Sequence, residues 1–330
     1  MDPGLQISSL VKPIVTFGLG GQPFFYRTLG EAMRREFGCN VWKVSVDAGF
    51  SCPNIGVDGN GNVRSGCIFC NVNSFSPSRR LVAGKPIFVQ IDEGIIRLKR
   101  HYPKAQKFIA YFQPSTNTNA PPEQLETIYN EALKHPEIVG LAIGTRPDVL
   151  SDDVIELLAK ISREKYLQLE IGLQSIHQKS LDFLNRGHNY ATFTDSYYRV
   201  KKQKIKTGIH LILGIPNESR DDIIETANAI ADLKPESIKL HNLYVVRGTM
   251  LADYWNDGKL ILPTIHEYAE MVIDFLERIP SDIIIDRISS EADDEYIIAP
   301  AWSKIKHAAR NVINNLFLLR KSYQGKYYTE

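Results

Sequence analysis

The sequence predicts an α/β fold with a parallel sheet, and three observations lead to this prediction. Short apolar or β-rich runs alternate with runs of helical periodicity along most of the chain, a pattern typical of βαβ units. About six such units lie between residues 41 and 278, fewer than the eight of a closed barrel. The 330 residues include 43% hydrophobic and 23% charged residues, as in an ordinary globular protein. A partial barrel and a doubly wound sheet both agree with this pattern.

The strands are predicted from runs rich in apolar and β-branched residues, which are typical of buried parallel strands. In chain order they are residues 41–46, 107–112, 138–143, 167–173, 206–213 and 237–245, with 282–288 as a candidate seventh strand. The intervening helices are predicted at residues 87–102, 121–134 and 152–161, in the stretch ending at 204, and at 218–232 and 266–278. Ser151 can cap the third of these helices. A last amphipathic helix is predicted at residues 302–320.

Composition and charge exclude several classes of protein. The 39 basic and 38 acidic residues give a formal net charge of +1, so no positive field covers the whole molecule to attract nucleic acid non-specifically. No apolar run approaches the roughly 18 residues of a membrane span, and residues 1–17 lack the features of a secretory signal. We therefore expect a cytoplasmic protein with no membrane segment. Four cysteines are too few for a disulfide scaffold, and in a reducing compartment clustered cysteines indicate metal binding or chemistry.

Three of the cysteines follow the first predicted strand in the spacing Cys-x14-Cys-x2-Cys, at Cys52, Cys67 and Cys70. Thiolates are soft ligands that select zinc or iron–sulfur clusters. A closed zinc site usually has four ligands, whereas three thiolates leave one coordination position open. Ligands of parallel α/β folds bind beyond the carboxyl ends of the strands, which is where this loop lies. Chance clustering of buried cysteines, or a zinc knuckle that recruits Cys39 or a histidine, would also agree with the spacing.

The loop DAGFSCPN at residues 47–54, followed by GCIFCN at 66–71, resembles the cluster loop of radical S-adenosylmethionine (SAM) enzymes. The wide first gap and the aromatic residue between the last two cysteines are similar to the branch that includes the catalytic subunit of elongator and the oxygen-independent coproporphyrinogen oxidases. The nearest group is the YhcC/YtqA-type radical SAM proteins. The resemblance extends from about residue 37 to 325, through AYFQ at 110–113, GTRPD at 144–148, EIGLQS at 170–175, NRGH at 185–188 and HLILGIP at 210–216.

This resemblance implies a partial (β/α)6 TIM-like barrel with a C-terminal helical extension. The implied division is an N-terminal extension at residues 1–36, the barrel at 37–265, and an extension of one strand plus helices at 266–330. In such enzymes three cysteines hold a 4Fe–4S cluster, and SAM binds the fourth iron through its amino and carboxylate groups. Cys52, Cys67 and Cys70 are then the metal ligands, in agreement with the open position that three thiolates leave.

The resemblance also implies a set of residues around SAM, namely Phe69, Gln113, Ser115, Asn117, Gln174, Arg186 and Gly214. Phe69 would pack near the adenine, and Gly214 would let the flat ring approach the backbone. The loop with Gln113, Ser115 and Asn117 would meet the amine, although it departs from the Gly-Gly-Glu pattern common there. Gln174 would contact the ribose, and the planar fork of Arg186 would pair with the carboxylate. His210 lies where this branch often has an aspartate, and we expect it to be packed or hydrogen-bonded rather than reactive.

The implied activity is reductive cleavage of SAM to methionine and a 5′-deoxyadenosyl radical, which takes a hydrogen atom from the substrate. The implied partners are SAM and an electron donor such as flavodoxin or ferredoxin. The elongator-like branch suggests tRNA as the substrate, and Lys304, Lys306 and Arg310 offer a basic face. A porphyrin-like metabolite or a protein would also agree with the resemblance. Two alternatives are a zinc-stabilised nucleic-acid-binding module and a non-catalytic iron–sulfur carrier. The low net charge gives the first of them little support, and a carrier has no need of residues that hold SAM.

Overall fold

A sheet of seven parallel strands organises the computed structural model, which describes residues 16–17, 23–57, 61, 63–290 and 294–329. The strands are β1 (Val41–Val46), β2 (Lys107–Phe112), β3 (Ile138–Thr145), β4 (Tyr166–Gln174), β5 (Lys206–Leu213), β6 (Ser237–Asn242) and β7 (Ile284–Arg287). Their order in the sheet follows their order in the chain. A doubly wound sheet would reverse its order at a switch point, so the partial barrel is the correct alternative.

The sheet curls so far that its two edge strands face each other. Lys43 of β1 donates to Asp286 of β7, with 2.6 Å between Nζ and Oδ2. In a flat sheet these edge strands would be about 29 Å apart, since neighbouring strands are about 4.8 Å apart. Thr28 also forms a parallel bridge to Ile285 of β7, so an N-terminal segment covers part of that edge. The result is a half-barrel with an inner face, which we call the lumen.

Seven helices follow the strands: α1 (Ile87–His101), α2 (Pro122–Leu133), α3 (Asp152–Glu164), α4 (Tyr190–Lys202), α5 (Arg220–Leu233), α6 (Ile265–Leu276) and, after β7, α7 (Ala308–Leu319). The predicted cap is confirmed, since the Ser151 side chain accepts from the backbone N–H of Val154. Shorter helices are Leu29–Phe37, Val72–Phe75, Pro77–Leu81, Gln178–Phe183 and Met250–Asn256, with 3-10 turns at Pro147–Val149 and Ala301–Lys304. Three antiparallel pairs join Thr16–Phe17 to Pro23–Phe24, Ile55–Val57 to Val63–Ser65, and Val245–Val246 to Ile297–Ala299.

The apolar core lies between the outer face of the sheet and the helices. It contains fully buried side chains of the strands and, in the same cluster, residues of the C-terminal helices such as Phe275 and Phe317. The C-terminal tail is also fixed, because Gln324 accepts from the backbone N–H of Arg27 and donates to the carbonyls of Pro280 and Ile283. None of the helices in the described part of the chain has the length and apolar character of a membrane span.

Several predicted elements differ from the structure at their ends. The helical stretch before residue 204 is two helices, because Asn185 and Gly187 have φ of 51° and 68°, which a continuous helix does not allow. The sixth strand ends at Asn242 rather than 245. The last helix begins at Ala308, after His307 with φ of 65°. The predicted division at residues 36 and 265 stays a prediction, and residues 1–15 and 18–22 of the N-terminal extension lie outside the described residues.

Candidate metal centre at the mouth of the barrel

A hairpin brings the three clustered cysteines together beyond the carboxyl end of β1. Ile55–Val57 pairs with Val63–Ser65, and this closes most of the gap between Cys52 and Cys67. A backbone hydrogen bond of 3.0 Å from Cys70 N to Cys67 O forms the turn between the last two cysteines. Asn71 then caps the short helix Val72–Phe75, since its side chain accepts from Asn73 N. The hairpin, the turn and the cap together fold the loop back on itself.

The thiols are close enough to influence one another. Burial raises the pKa of Cys70 to about 12, and the thiolates of Cys67 and Cys52 contribute to the shift. Keeping three thiolates ionised here requires nearby positive charge.

Arg186 supplies part of that charge. Its Nη1 donates to Cys67 Sγ at 3.2 Å and its Nη2 donates to the carbonyl of Gly172 at 2.7 Å. A Cβ on Gly172 would lie 3.1 Å from Nη2, so this glycine leaves the space that the guanidinium occupies. Asn54 also donates to Cys67 Sγ, at 3.5 Å. Arg186 Nε is buried with no partner among the described residues, which leaves one donor for a ligand.

Arg146 is a second cation at the site, and its role was not predicted from the sequence. It forms two bonds to Asp148, of 2.9 and 3.0 Å, and its Nη2 donates to the carbonyl of Arg186 at 2.6 Å. Although burial lowers it, the pKa of Arg146 is raised overall by Asp148 and by the Cys67 and Cys52 thiolates. The available signal was the GTRPD segment, whose arginine directly follows the end of β3.

The predicted loop after β2 lies at the mouth, with a different role for each side chain. Gln113 accepts from Ser45 Oγ at 3.2 Å, and Ser115 accepts from Arg79 Nη2 at 3.2 Å. Asn117 is fully buried and donates to the carbonyls of Phe112 and Gly144, both at 2.9 Å. It therefore holds the ends of β2 and β3 together. Its Oδ1 is buried without a partner in the part of the chain that is described.

The remaining predicted residues lie on two sides of the mouth. Gln174 has φ of 80° at a register shift of β4, and its Nε2 would lie 2.8 Å from a Cβ on Gly172, which places it beside Arg186. Phe69 is half-buried and packs against an apolar cluster that includes Ile215. Gly214 has φ of 82°, and a Cβ there would lie 2.8 Å from Pro263. Packing against Pro263 thus requires glycine at this position whether or not a ligand binds.

Beneath the mouth, a layer of polar and charged residues fills the lumen. We call it the lumen layer, and it comprises Lys43, Tyr111, Glu170, His210, Lys239 and Asp286. Its centre is the buried carboxylate of Glu170, which accepts from Lys43 at 2.7 Å, Lys239 at 3.0 Å, Tyr111 at 2.8 Å and His210 at 2.8 Å. The expectation that His210 is hydrogen-bonded is therefore confirmed. The layer joins six of the seven strands and closes the lumen below the site.

Comparisons with known proteins identify relatives of the whole chain. The family model of the Radical SAM superfamily matches residues 64–230, which include Cys67 and Cys70, and that of the Radical_SAM C-terminal domain matches residues 235–316. The Bacillus subtilis protein YtqA is 36% identical over 307 residues, which cover 92% of each chain. The tRNA uridine(34) acetyltransferase of Methanocaldococcus infernus is 28% identical over 173 residues, 51% of this chain and 32% of that protein.

A solved structure has the same fold. It is the archaeal Methanocaldococcus infernus Elp3 with an N-terminal deletion, which superposes with a TM-score of 0.64 at 18% sequence identity. The match covers 86% of this chain, and this chain spans 64% of that one. The seven-stranded half-barrel with C-terminal helices is thus an arrangement already known from a solved protein.

Proposed function

Because this chain belongs to the radical SAM superfamily, and is therefore an enzyme with a 4Fe–4S cluster and SAM as cofactors, we propose that Cys52, Cys67 and Cys70 bind the cluster. The observation that carries the proposal is the convergence of three thiols beside the guanidinium of Arg186. Three ligands leave one iron for SAM. The bound cluster and SAM supply a 5′-deoxyadenosyl radical by reductive cleavage, and the protein orients the reactants and excludes water.

We propose that the residues predicted around SAM have the roles given above. The Nε of Arg186 is buried without a partner among the described residues. We propose that the guanidinium pairs with the SAM carboxylate. Gln174 lies beside it and would contact the ribose. Gln113, Ser115 and the unpartnered Oδ1 of Asn117 would accept from the amine. Phe69 and Gly214 would line the adenine side, where the apolar cluster of Ile215 lies.

Two features oppose the alternatives of a zinc module and a passive cluster carrier. The three clustered thiols lack a fourth cysteine to complete a closed zinc site, because Cys39 precedes the opposite end of β1. A passive carrier would not need a buried arginine with an unused donor next to its cluster ligands. An enzyme that binds SAM would need one, because the SAM carboxylate must be neutralised in a partly buried site.

For the substrate, we propose tRNA, in agreement with the elongator-like branch and with the tRNA-modifying relative. The basic face is smaller than predicted. Of its three predicted residues, Arg310 packs over the ring of Phe24. Lys304 and Lys306 are exposed. They lie close to the mouth, since Ser303 accepts from Asn242 at the end of β6.

Reductive cleavage of SAM also requires an external electron donor. We propose that a flavodoxin or ferredoxin reduces the cluster from the side of the cluster-loop hairpin, whose residues are exposed on both strands. The cytoplasmic location predicted from the sequence belongs to the same proposal, because clustered free thiolates require a reducing compartment.

Anaerobically prepared protein should contain about four iron and four sulfide per chain, as a 4Fe–4S cluster requires. After chemical reduction it should form 5′-deoxyadenosine from SAM, slowly and without any substrate. Metal analysis and chromatography of the reaction products measure the two results. Stoichiometric zinc without iron after anaerobic reconstitution would contradict the proposed cluster, and iron without SAM cleavage would favour the carrier.

Replacing Arg186 with alanine should weaken SAM binding, because the change removes a charge-assisted pair worth about 1.5–3 kcal/mol. The SAM dissociation constant should rise about ten- to a hundredfold, measured by equilibrium dialysis of protein with matched iron content. Arg163→Ala, at an exposed position of α3, is the control and should bind SAM normally. An unchanged dissociation constant in Arg186→Ala would remove this residue from the SAM site.

If tRNA is the substrate, its affinity should fall steeply as salt increases, because binding releases counterions. Replacing Lys304 and Lys306 with alanine should reduce the slope of log K against log salt by about 1 to 2. The matched control replaces Lys165 and Lys202, which are exposed at the amino ends of β4 and β5, opposite the mouth. Equal slopes in both double variants would place the RNA elsewhere, and salt-independent binding would favour a small molecule or a protein.

A further inference from the structure

Two side chains at the edge of the lumen have no role in the proposed chemistry so far: His241 of β6 and Arg287 of β7. The register between these strands shifts, since Ile238 pairs with Ile285 but Lys239 pairs with Arg287. The shift inserts Asp286 as an extra residue. Asp286 reaches across the lumen to Lys43, and Arg287 lies opposite Lys239, whose ammonium is also in the lumen. Such irregularities redirect side chains. Here they place both Asp286 and Arg287 beside the lumen.

His241 presents an unused ring nitrogen. Its Nδ1 is 2.6 Å from Ser290 Oγ, while its Nε2 is buried and has no partner within the described residues. The ring of His210 is 5.2 Å away, but its own Nε2 donates to Glu170. A buried polar atom without a partner destabilises the fold. Such a cost is tolerated where a ligand supplies the missing hydrogen bond.

The charges around His241 favour a negative ligand. Lys43 and Lys239 are already balanced by Glu170 and Asp286. Arg287 is exposed and forms no hydrogen bond or ion pair with any residue that the structure describes. Burial, followed by repulsion from His210, Arg287 and Lys239, holds the pKa of His241 well below its ordinary value of 6.5, with Glu170 acting in the opposite direction. Burial is the largest cause of this shift, and the positive charges of Arg287 and Lys239, which add to it, would stabilise an anion beside the ring.

We propose that Arg287 and His241 form an oxyanion-binding site in the lumen, which takes a phosphate or carboxylate group of the substrate. The guanidinium supplies a planar fork that matches two oxygens of the anion. The neutral ring of His241 donates from Nε2 to a further oxygen of the anion when its Nδ1 accepts from the Ser290 hydroxyl. Assigning the anion to the substrate rests on the proposed function, whereas anion binding itself does not.

The test uses the full chain with ¹⁵N-labelled histidine rings, with the His241 signals assigned by comparison with H241Q. The protein is titrated separately with inorganic phosphate, acetate and SAM. We expect a saturable change at His241 with phosphate or acetate, and an apparent dissociation constant at least about tenfold higher in R287Q, as loss of a charge-assisted pair implies. The control R163Q removes an exposed arginine of α3 and should behave as wild type.

The outcomes separate the sources of the anion. Tighter binding of phosphate than of acetate assigns the site to a nucleotide phosphate, and the reverse assigns it to a carboxylate of the substrate. No saturable change with either anion overturns the site, as does an equal loss of binding in R163Q. Competition by SAM at the same signals overturns the assignment to substrate. Because neither iron nor turnover is needed, these results are independent of whether the proposed SAM cleavage is observed.

Discussion

Cys67→Ser should remove the iron–sulfur cluster and abolish SAM cleavage. Cys67 is the thiol that contacts both Arg186 and Asn54, and its thiolate acts on the pKa values of Cys70 and Arg146. Serine keeps the size of the side chain but replaces the soft ligand by a poor one for iron. Iron and sulfide per chain should fall from about four to near zero, and 5′-deoxyadenosine should be undetectable. Metal analysis and product chromatography measure both results.

Cys39→Ser is the matched control, because it removes a cysteine that the other three do not reach. Cys39 lies between the helix Leu29–Phe37 and the start of β1, whereas the other cysteines follow the end of that strand. A strand of six residues spans about 20 Å. The Cys39→Ser protein should keep its iron and its activity. Equal loss of iron in both variants would indicate a four-cysteine site, and full retention in Cys67→Ser would exclude this thiol as a ligand.

Glu170→Ala should destabilise the fold by about 3–5 kcal/mol, the cost of removing one partner from a buried charge pair. Glu170 is 1% exposed, and its removal leaves Lys43 and Lys239 with Asp286 as their remaining carboxylate partner among the described residues. Chemical denaturation measures the free energy of unfolding. Glu93→Ala removes a half-exposed partner of Lys85 and should change this free energy little. A similar small change for both variants would show that the lumen layer adds little to stability.

Acid should reduce the contribution of Glu170. Although burial raises it, the ammoniums of Lys239 and Lys43 hold the pKa of this carboxyl well below its ordinary value of 4.5 in the folded protein. A group with a lowered pKa stabilises the fold above its unfolded pKa, and the effect is lost as the pH falls through the folded pKa. The difference in stability between wild type and Glu170→Gln should therefore be largest near neutral pH and shrink as the pH falls below about 4.5. A difference that is constant with pH would contradict this assignment.

The strands were predictable because buried parallel strands are continuous apolar or β-rich runs with clear ends. Three of them, Val41–Val46, Lys107–Phe112 and Lys206–Leu213, have the predicted bounds. The break between Gln178–Phe183 and α4 was missed although Asn185 and Gly187 are residue types that often end helices. Two residues with positive φ, fixed by contacts with the cluster loop, end the helix there. Local sequence patterns do not contain such distant contacts.

The cysteines were predictable from spacing, but most of their surroundings were not. Arg146 and Gly172 reach the site from β3 and β4, and only the closed half-barrel brings them beside Cys67. Glu170 lies two residues before Gly172 in a segment that was used only for its resemblance to a family. Its partners are Lys43 and Lys239, 127 and 69 residues away. The sequence alone therefore could not show which lysines balance the charge of Glu170. Ligand spacing is local, whereas electrostatic balance depends on the tertiary fold.

The ion pair between Lys43 and Asp286 can form only late in the synthesis of the chain. The two residues are 243 positions apart in the chain. At roughly 5–20 residues per second, the ribosome delivers Asp286 about 12–50 seconds after Lys43. During this interval β1 through β6 can pair, but both edges of the growing sheet remain open and are able to pair with other chains. The half-barrel is thus completed late. Its edge strands stay open to pairing with other chains for much of the time that the protein takes to be made.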